Sequence, residues 1–242
     1  MAALPSPFGP VAAIPPPAVR LAREWWSTRD EATWPAPPRG DGRPAVLVPG
    51  FLAGDTSLRR MAGWLRAGGF TTRRAGVVWN VSCMEDLLTA LERRLEAAGH
   101  DAGRPALVVG QSRGGTLGRA LAVRRPDLVE SLVALGSPVR DQLAVYPQVR
   151  LAVTAVGLLG TAGVPGLFTR ACRDGECCAD AREHVTGPFP PSVRYLAIWS
   201  RNDEVVRWQA CLDPAAEQVE VATSHLGMGL DAAVWRAVAA RL

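Results

Sequence analysis

The chain has 242 residues, enough for one full α/β domain, and its 48% hydrophobic and 21% charged residues give the balance of a globular protein. The net charge is +4 and all 27 basic residues are arginine. Without a lysine amine, a Walker-A phosphate loop, a pyridoxal Schiff base, a Ser-Lys dyad and a class A β-lactamase site are all excluded. The arginines are interleaved with acids, in pairs such as Arg59-Arg60, Arg73-Arg74 and Arg93-Arg94. That pattern describes a mixed solvated surface rather than a nucleic-acid site.

Residues 1–17, rich in proline and alanine, are expected to run as an extended arm. They lack a basic region followed by an apolar core, so no secretory signal is expected and the location expected is cytoplasmic. Ala18–Arg29 carries Val19, Leu21, Ala22, Trp25 and Trp26 on one helical face, which predicts an amphipathic helix with both tryptophans packed on the main body. After a Pro/Gly loop, Ala45–Val48 is a buried strand that runs into Pro49-Gly50-Phe51-Leu52. Asp55 or Thr56 can cap a following helix whose apolar stripe is Leu58, Met61, Trp64 and Leu65, stopped by Gly68-Gly69. A strand is expected around Val77–Trp79. Ser82 or Cys83 then opens a helix through Leu87, Leu88, Leu91 and Leu95 to Gly99, with His100-Asp101 in a surface loop.

The stretch Arg104–Arg125 carries the chemistry. A short apolar run, Ala106–Val109, reads as a strand buried on both faces and ends in Gly110-Gln111-Ser112-Arg113-Gly114 before a small-residue helix. In a G-x-S-x-G turn the serine takes a strained conformation, and side chains two residues to either side would strike neighbouring backbone. Ser112 is therefore the candidate nucleophile. A tetrahedral oxyanion needs two backbone donors, one after the nucleophile and one from another strand exit, and the amides of Arg113 and Phe51 are the natural pair.

Ser131–Leu135 is the next strand. Residues 139–192 break the alternation, and Leu151–Phe168 within them has no charge. Glycines at 157, 160, 163 and 166 make it a poor membrane span, so apolar helices forming a cap are expected, with Gly50, Leu52, Leu158 and Leu159 lining a hydrophobic acyl pocket. Transient contact with a lipid surface is left open by the same composition. Arg170–Glu183 reads as a polar loop. Tyr195–Trp199 resumes as a strand and exits into Asp203-Glu204, where an imidazole-orienting acid can sit; Asp203 is the first choice and Glu204 the alternative. Gln218–Val221 is the last strand. His225 at its exit is the candidate general base, with His184 in the insertion as the weaker one, and a helix over Ala232–Leu242 closes the chain.

Four of the five cysteines, Cys172, Cys177, Cys178 and Cys211, fall in the carboxyl half. A bridge from Cys177 or Cys178 to Cys211 is one reading, and small buried hydrophobes the other. No C-x-x-C, H-E-x-x-H or paired Cys/His spacing points to a metal, and no cofactor is expected.

With the order Ser112, Asp203, His225 assembled on three strand exits, the chain resembles the α/β-hydrolase family, and within it the lipase- and esterase-type members. The resemblance runs from about Ala45 to the carboxyl terminus. It implies a mostly parallel sheet of about six strands flanked by helices, with residues 1–43 as an arm and helix, 44–242 as the hydrolase domain and a cap over 139–192. It also implies hydrolysis of a small-molecule ester or lipid through a Ser-His-Asp triad. A thioesterase or acyltransferase would use the same residues, and a non-catalytic binding protein can share the fold. Pro49 stands where many members carry the histidine of an HG pair.

Overall fold

The computed structural model describes residues 17–242, so the arm expected over residues 1–17 lies, but for its last residue, outside the described residues. In chain order the regular elements are α1 (Pro17–Ser27), β1 (Pro44–Val48), α2 (Arg59–Ala67), β2 (Thr71–Arg74), α3 (Met84–Ala102), β3 (Ala106–Gln111), α4 (Arg113–Arg124) and β4 (Val129–Leu135). Then come α5 (Pro147–Thr161), α6 (Arg170–Asp174), α7 (Ala179–Thr186), β5 (Arg194–Trp199), β6 (Glu217–Glu220) and α8 (Ala232–Ala239). The six strands form one sheet in the order β2-β1-β3-β4-β5-β6, and every neighbouring pair is parallel.

Strand side chains alternate between the two faces, and each face has its own core. Val46, Val48, Val108, Leu132 and Ala134 join α3, α4 and α7 on one side. Ala45, Leu47, Leu107, Val109, Val133 and Ile198 join Met61, Trp64 and Leu65 of α2 and Trp235 of α8 on the other, where Trp64 and Trp235 stack with ring centroids 5.1 Å apart. Burial on both faces is why these strands read as unbroken apolar runs. The chain leaves β1 toward β2 on one side of the sheet, then crosses to β3 and proceeds the other way. The strand order therefore reverses between β1 and β3, and the carboxyl ends of those two strands open the crevice in which such sheets bind ligands.

Several elements differ from expectation. The strand expected at Val77–Trp79 is instead Thr71–Arg74. β2 pairs only with β1, so as an edge strand it needs no apolar run, while Val78 and Trp79 are 80% and 62% exposed. Asp55 caps no helix; its Oδ2 accepts from the Gly76 amide at 3.0 Å. α3 continues past Gly99 to Ala102 and ends on Gly103 at φ 65°, which places His100 in its last turn. Residues 170–183, expected as a polar loop, form α6, the turn Glu176–Cys178 and the start of α7, because Cys178, Ala181 and Val185 are buried against the core containing α4. In α1 the expected stripe is inverted: Trp25 and Trp26 are exposed and Glu24 is buried. Among the described residues no helix is long and apolar enough to cross a membrane.

Candidate active site

Ser112 follows β3 directly and is the N-cap of α4, with φ 53° and ψ −125°, a backbone region few non-glycine residues occupy. The flanking glycines are there because nothing larger fits. A Cβ on Gly110 would lie 2.4 Å from Gly114 backbone, and one on Gly114 would lie 2.1 Å from the carbonyl oxygen of Val48. The Arg113 amide is the first of α4, where a helix offers no internal acceptor, so it and the positive end of the helix dipole are available to an anion at Ser112.

The loop after β1 closes on the serine from the other side. A Cβ on Gly50 would come within 3.2 Å of the Ser112 Cβ and 3.9 Å of its Oγ. Leu52, two residues on, has φ 59°, so the loop carrying Phe51 is itself bent into a left-handed turn. Its position is held by a chain of hydrogen bonds. Asn80 Nδ2 donates to the Pro49 carbonyl at 2.7 Å, and Arg113 Nη1 donates to both the carbonyl and Oδ1 of Asn80, each at 2.9 Å. Arg113 Nη2 donates to the Ser82 carbonyl at 2.7 Å. Burial pushes the Arg113 guanidinium down to about 10, opposed by the thiols of Cys178, Cys83 and Cys172, so it remains a cation at neutral pH.

His225 and Asp203 stand after the last two strands and are both buried. His225 Nδ1 lies 2.6 Å from Asp203 Oδ2, while Asp203 Oδ1 accepts from the amides of Val205 and Val206 at 2.8 and 2.7 Å. One carboxylate oxygen thus anchors the acid to its own turn and the other addresses the imidazole. Gly136, at φ 55° after β4, makes room for this pair: a Cβ there would lie 3.2 Å from Asp203 Oδ2 and 3.3 Å from His225 Nδ1. Ser112, His225, Phe51 and Arg113 all line one cavity of about 1330 Å³, whose walls include Val139, Val145, Val149, Ala152, Val153 and Phe168.

No family model and no curated protein matches the chain. Solved structures do. The mature form of the Bacillus licheniformis lipase BlEst2 is similar with a TM-score of 0.58 at 15% identity, over 80% of this chain and 89% of that one. The metagenomic carboxyl esterase MGS0156 is similar with a TM-score of 0.59 at 16% identity, over 79% and 67%. The thioesterase domain from the curacin biosynthetic pathway is similar with a TM-score of 0.55 at 13% identity, over 83% and 90%. The chain has the α/β-hydrolase fold.

On this hydrolase fold the residues singled out from sequence are not all brought together. Gly50 and Leu52 line the large cavity, whereas Leu158 lies outside it and Leu159 borders a smaller depression shared with Leu52, Val78 and Trp79. The expectation that Leu158 and Leu159 line the pocket is corrected: α5 turns Val149, Ala152 and Val153 toward the cavity at helical spacing, and its later residues run beyond it. His184, on α7, is outside the cavity lining. Glu204 serves the loop rather than the ring, its Oε2 accepting from the His225 amide at 3.4 Å.

Three contributors have no motif. Gln111, the variable residue before the serine, donates from Nε2 to the His225 carbonyl at 2.9 Å. Asn80 supports the loop after β1, as above. Glu24 of α1 reaches the loop before His225: its Oε1 accepts from the Ser224 amide at 2.6 Å and from Thr223 Oγ1 at 2.9 Å, and its Oε2 accepts from Ser224 Oγ. No local spacing announces these contacts, since Glu24 and Ser224 are 200 residues apart.

The cysteines also depart from expectation. All five are free, and Cys177 and Cys178 do not approach Cys211 but meet Cys83 and Cys172. Cys211 packs with Val145, Trp199 and Val206, where burial and then the Asp203 carboxylate push its thiol well above the ordinary value.

Proposed function

We propose that this chain is a serine hydrolase that cleaves carboxylic esters with a hydrophobic acyl portion. The observation that carries the reading is Ser112, strained at φ 53° at the head of α4, in a predominantly apolar cavity also lined by His225, Phe51 and Arg113. With Nδ1–H donating to Asp203, the Nε2 lone pair of His225 takes the Ser112 proton as Oγ attacks the carbonyl, and Asp203 stabilises the imidazolium that forms. The amides of Phe51 and Arg113 hold the oxyanion, about 3 kcal/mol for each donor. His225 then protonates the departing alcohol, and water, activated by the same ring, releases the acid.

Residues 139–192 act as the cap: their α5 face, with Phe168, supplies the apolar wall for the acyl chain. Exposed Trp25, Trp26, Leu52 and Leu226 also border the cavity, an apolar rim suited to brief contact with a lipid surface. A thioester would meet the same groups, a reading that the similarity to a thioesterase domain favours over acyl transfer. The test is a p-nitrophenyl ester series of increasing acyl length against acyl-CoA substrates, with Ser112→Ala as control. Ester turnover that rises with acyl length and vanishes in Ser112→Ala is expected. Ester turnover that persists in Ser112→Ala overturns the proposal, and turnover of acyl-CoA alone replaces the ester with the thioester.

A further inference from the structure

At the margin of the cavity, which Cys172 also lines, four cysteine sulfurs from three separate segments converge. Cys83 precedes α3, Cys172 is on α6, and Cys177 and Cys178 lie in the turn before α7. Their Sγ atoms all lie within 4.8 Å of one another. Cys83 Sγ is 3.4 Å from Cys178 Sγ and 3.9 Å from Cys177 Sγ, and Cys177 and Cys178 are 3.5 Å apart. A tetrahedral zinc site with Zn–S bonds of about 2.3 Å has S···S edges of about 3.8 Å. A disulfide needs about 2.05 Å. The three separations among Cys83, Cys177 and Cys178 are near such edges, Cys172 Sγ lies within 4.8 Å of each, and four sulfurs this close leave room for one ion rather than a cluster.

We propose that Cys83, Cys172, Cys177 and Cys178 form a closed, mononuclear four-cysteine site for Zn2+. The donor set is soft and sulfur-only, which selects thiophilic ions over Mg2+ or Ca2+. Four thiolates around Zn2+ leave a net charge of −2, and the Arg113 guanidinium, which donates to the carbonyl of Ser82 next to Cys83 at 2.7 Å, places a cation beside it. The Thr169 hydroxyl, 3.4 Å from Cys172 Sγ, is placed to donate to a bound thiolate. A closed four-sulfur site has no open position, so the role is structural: it ties the 139–192 insertion to the start of α3, one residue from the Ser82 carbonyl that Arg113 holds. Each thiol that binds loses its proton to solvent, and no redox step is involved.

The test uses the full chain purified under reducing conditions, with metal measured by inductively coupled plasma mass spectrometry and Co2+ reconstitution followed optically. One equivalent of zinc per chain is expected. With Co2+, a thiolate charge-transfer band in the near ultraviolet and tetrahedral d–d bands are expected. Both should be lost in Cys83→Ser and Cys178→Ser and kept in Cys211→Ser and in Ser112→Ala, which separates this site from the fate of the hydrolase reading. A folded, reduced wild-type chain that takes up neither ion overturns the proposal. So does a native mass lower by four hydrogens with no alkylatable thiol in the cluster, which would mean two disulfides.

Discussion

Replacing Glu24 tests whether the amino-terminal helix is part of the framework that holds His225. Glu24 is 4% exposed and receives three hydrogen bonds, from the Ser224 amide, Ser224 Oγ and Thr223 Oγ1, in the loop that ends at His225. Glu24→Ala leaves three donors without their acceptor. At about 1–3 kcal/mol for each buried group, less the relief of no longer burying a carboxylate, the loss is about 3–5 kcal/mol. Glu24→Gln is milder. A carbonyl oxygen at the Oε1 position keeps two of the contacts, and the amide at Oε2 donates to Ser224 Oγ, whose own hydrogen then lacks a partner, so the loss is about 1–2 kcal/mol. Urea denaturation measures both, and hydrolysis of a chromogenic ester reports whether His225 has shifted. Expected are the order wild type, Gln, Ala in midpoint and a fall in kcat for Ala of more than tenfold. An alanine variant within about 0.5 kcal/mol of wild type with full turnover would refute the reasoning and make α1 dispensable.

Asn80→Ala frees the Pro49 carbonyl and one anchor of Arg113, and should lower kcat about ten- to a hundredfold with little change in KM, read from steady-state kinetics. An unchanged kcat would mean the Phe51 loop holds itself. Arg119 Nε lies 2.5 Å from Asp213 Oδ2, both buried, with the other guanidinium nitrogens on the His184 and Gly187 carbonyls. Asp213→Ala leaves that cation unpaired and should cost about 3–5 kcal/mol in denaturant stability, with a loss below 1 kcal/mol indicating that water replaces the carboxylate.

The parts of this fold that are legible from sequence are those where a local constraint falls on a residue type. The strained turn at Ser112 forces glycine at 110 and 114, since a Cβ at either strikes backbone. The strands β1, β3, β4 and β5 are buried on both faces and so read as apolar runs. The edge strand β2 is legible to neither criterion, because its Thr-Thr-Arg-Arg residues face solvent and only its backbone is used. Around the candidate site, the strand exits point to Asp203 and His225, which the fold brings within 2.6 Å of each other, whereas Gln111, Asn80 and Glu24 make long-range contacts that no spacing encodes. The cysteine cluster stays hidden for the same reason: its ligands come from residues 83, 172, 177 and 178, and only the fold brings the first to the others.

The measurement closest to the central claim is labelling of the full chain with a fluorophosphonate probe, the adduct mapped by mass spectrometry, in wild type and in Asp203→Asn and His225→Ala. An activated serine predicts rapid, single-site modification of Ser112, abolished in His225→Ala and slowed by about four orders of magnitude in Asp203→Asn. Absence of an adduct on folded wild-type protein, or equal labelling in all three chains, would contradict it.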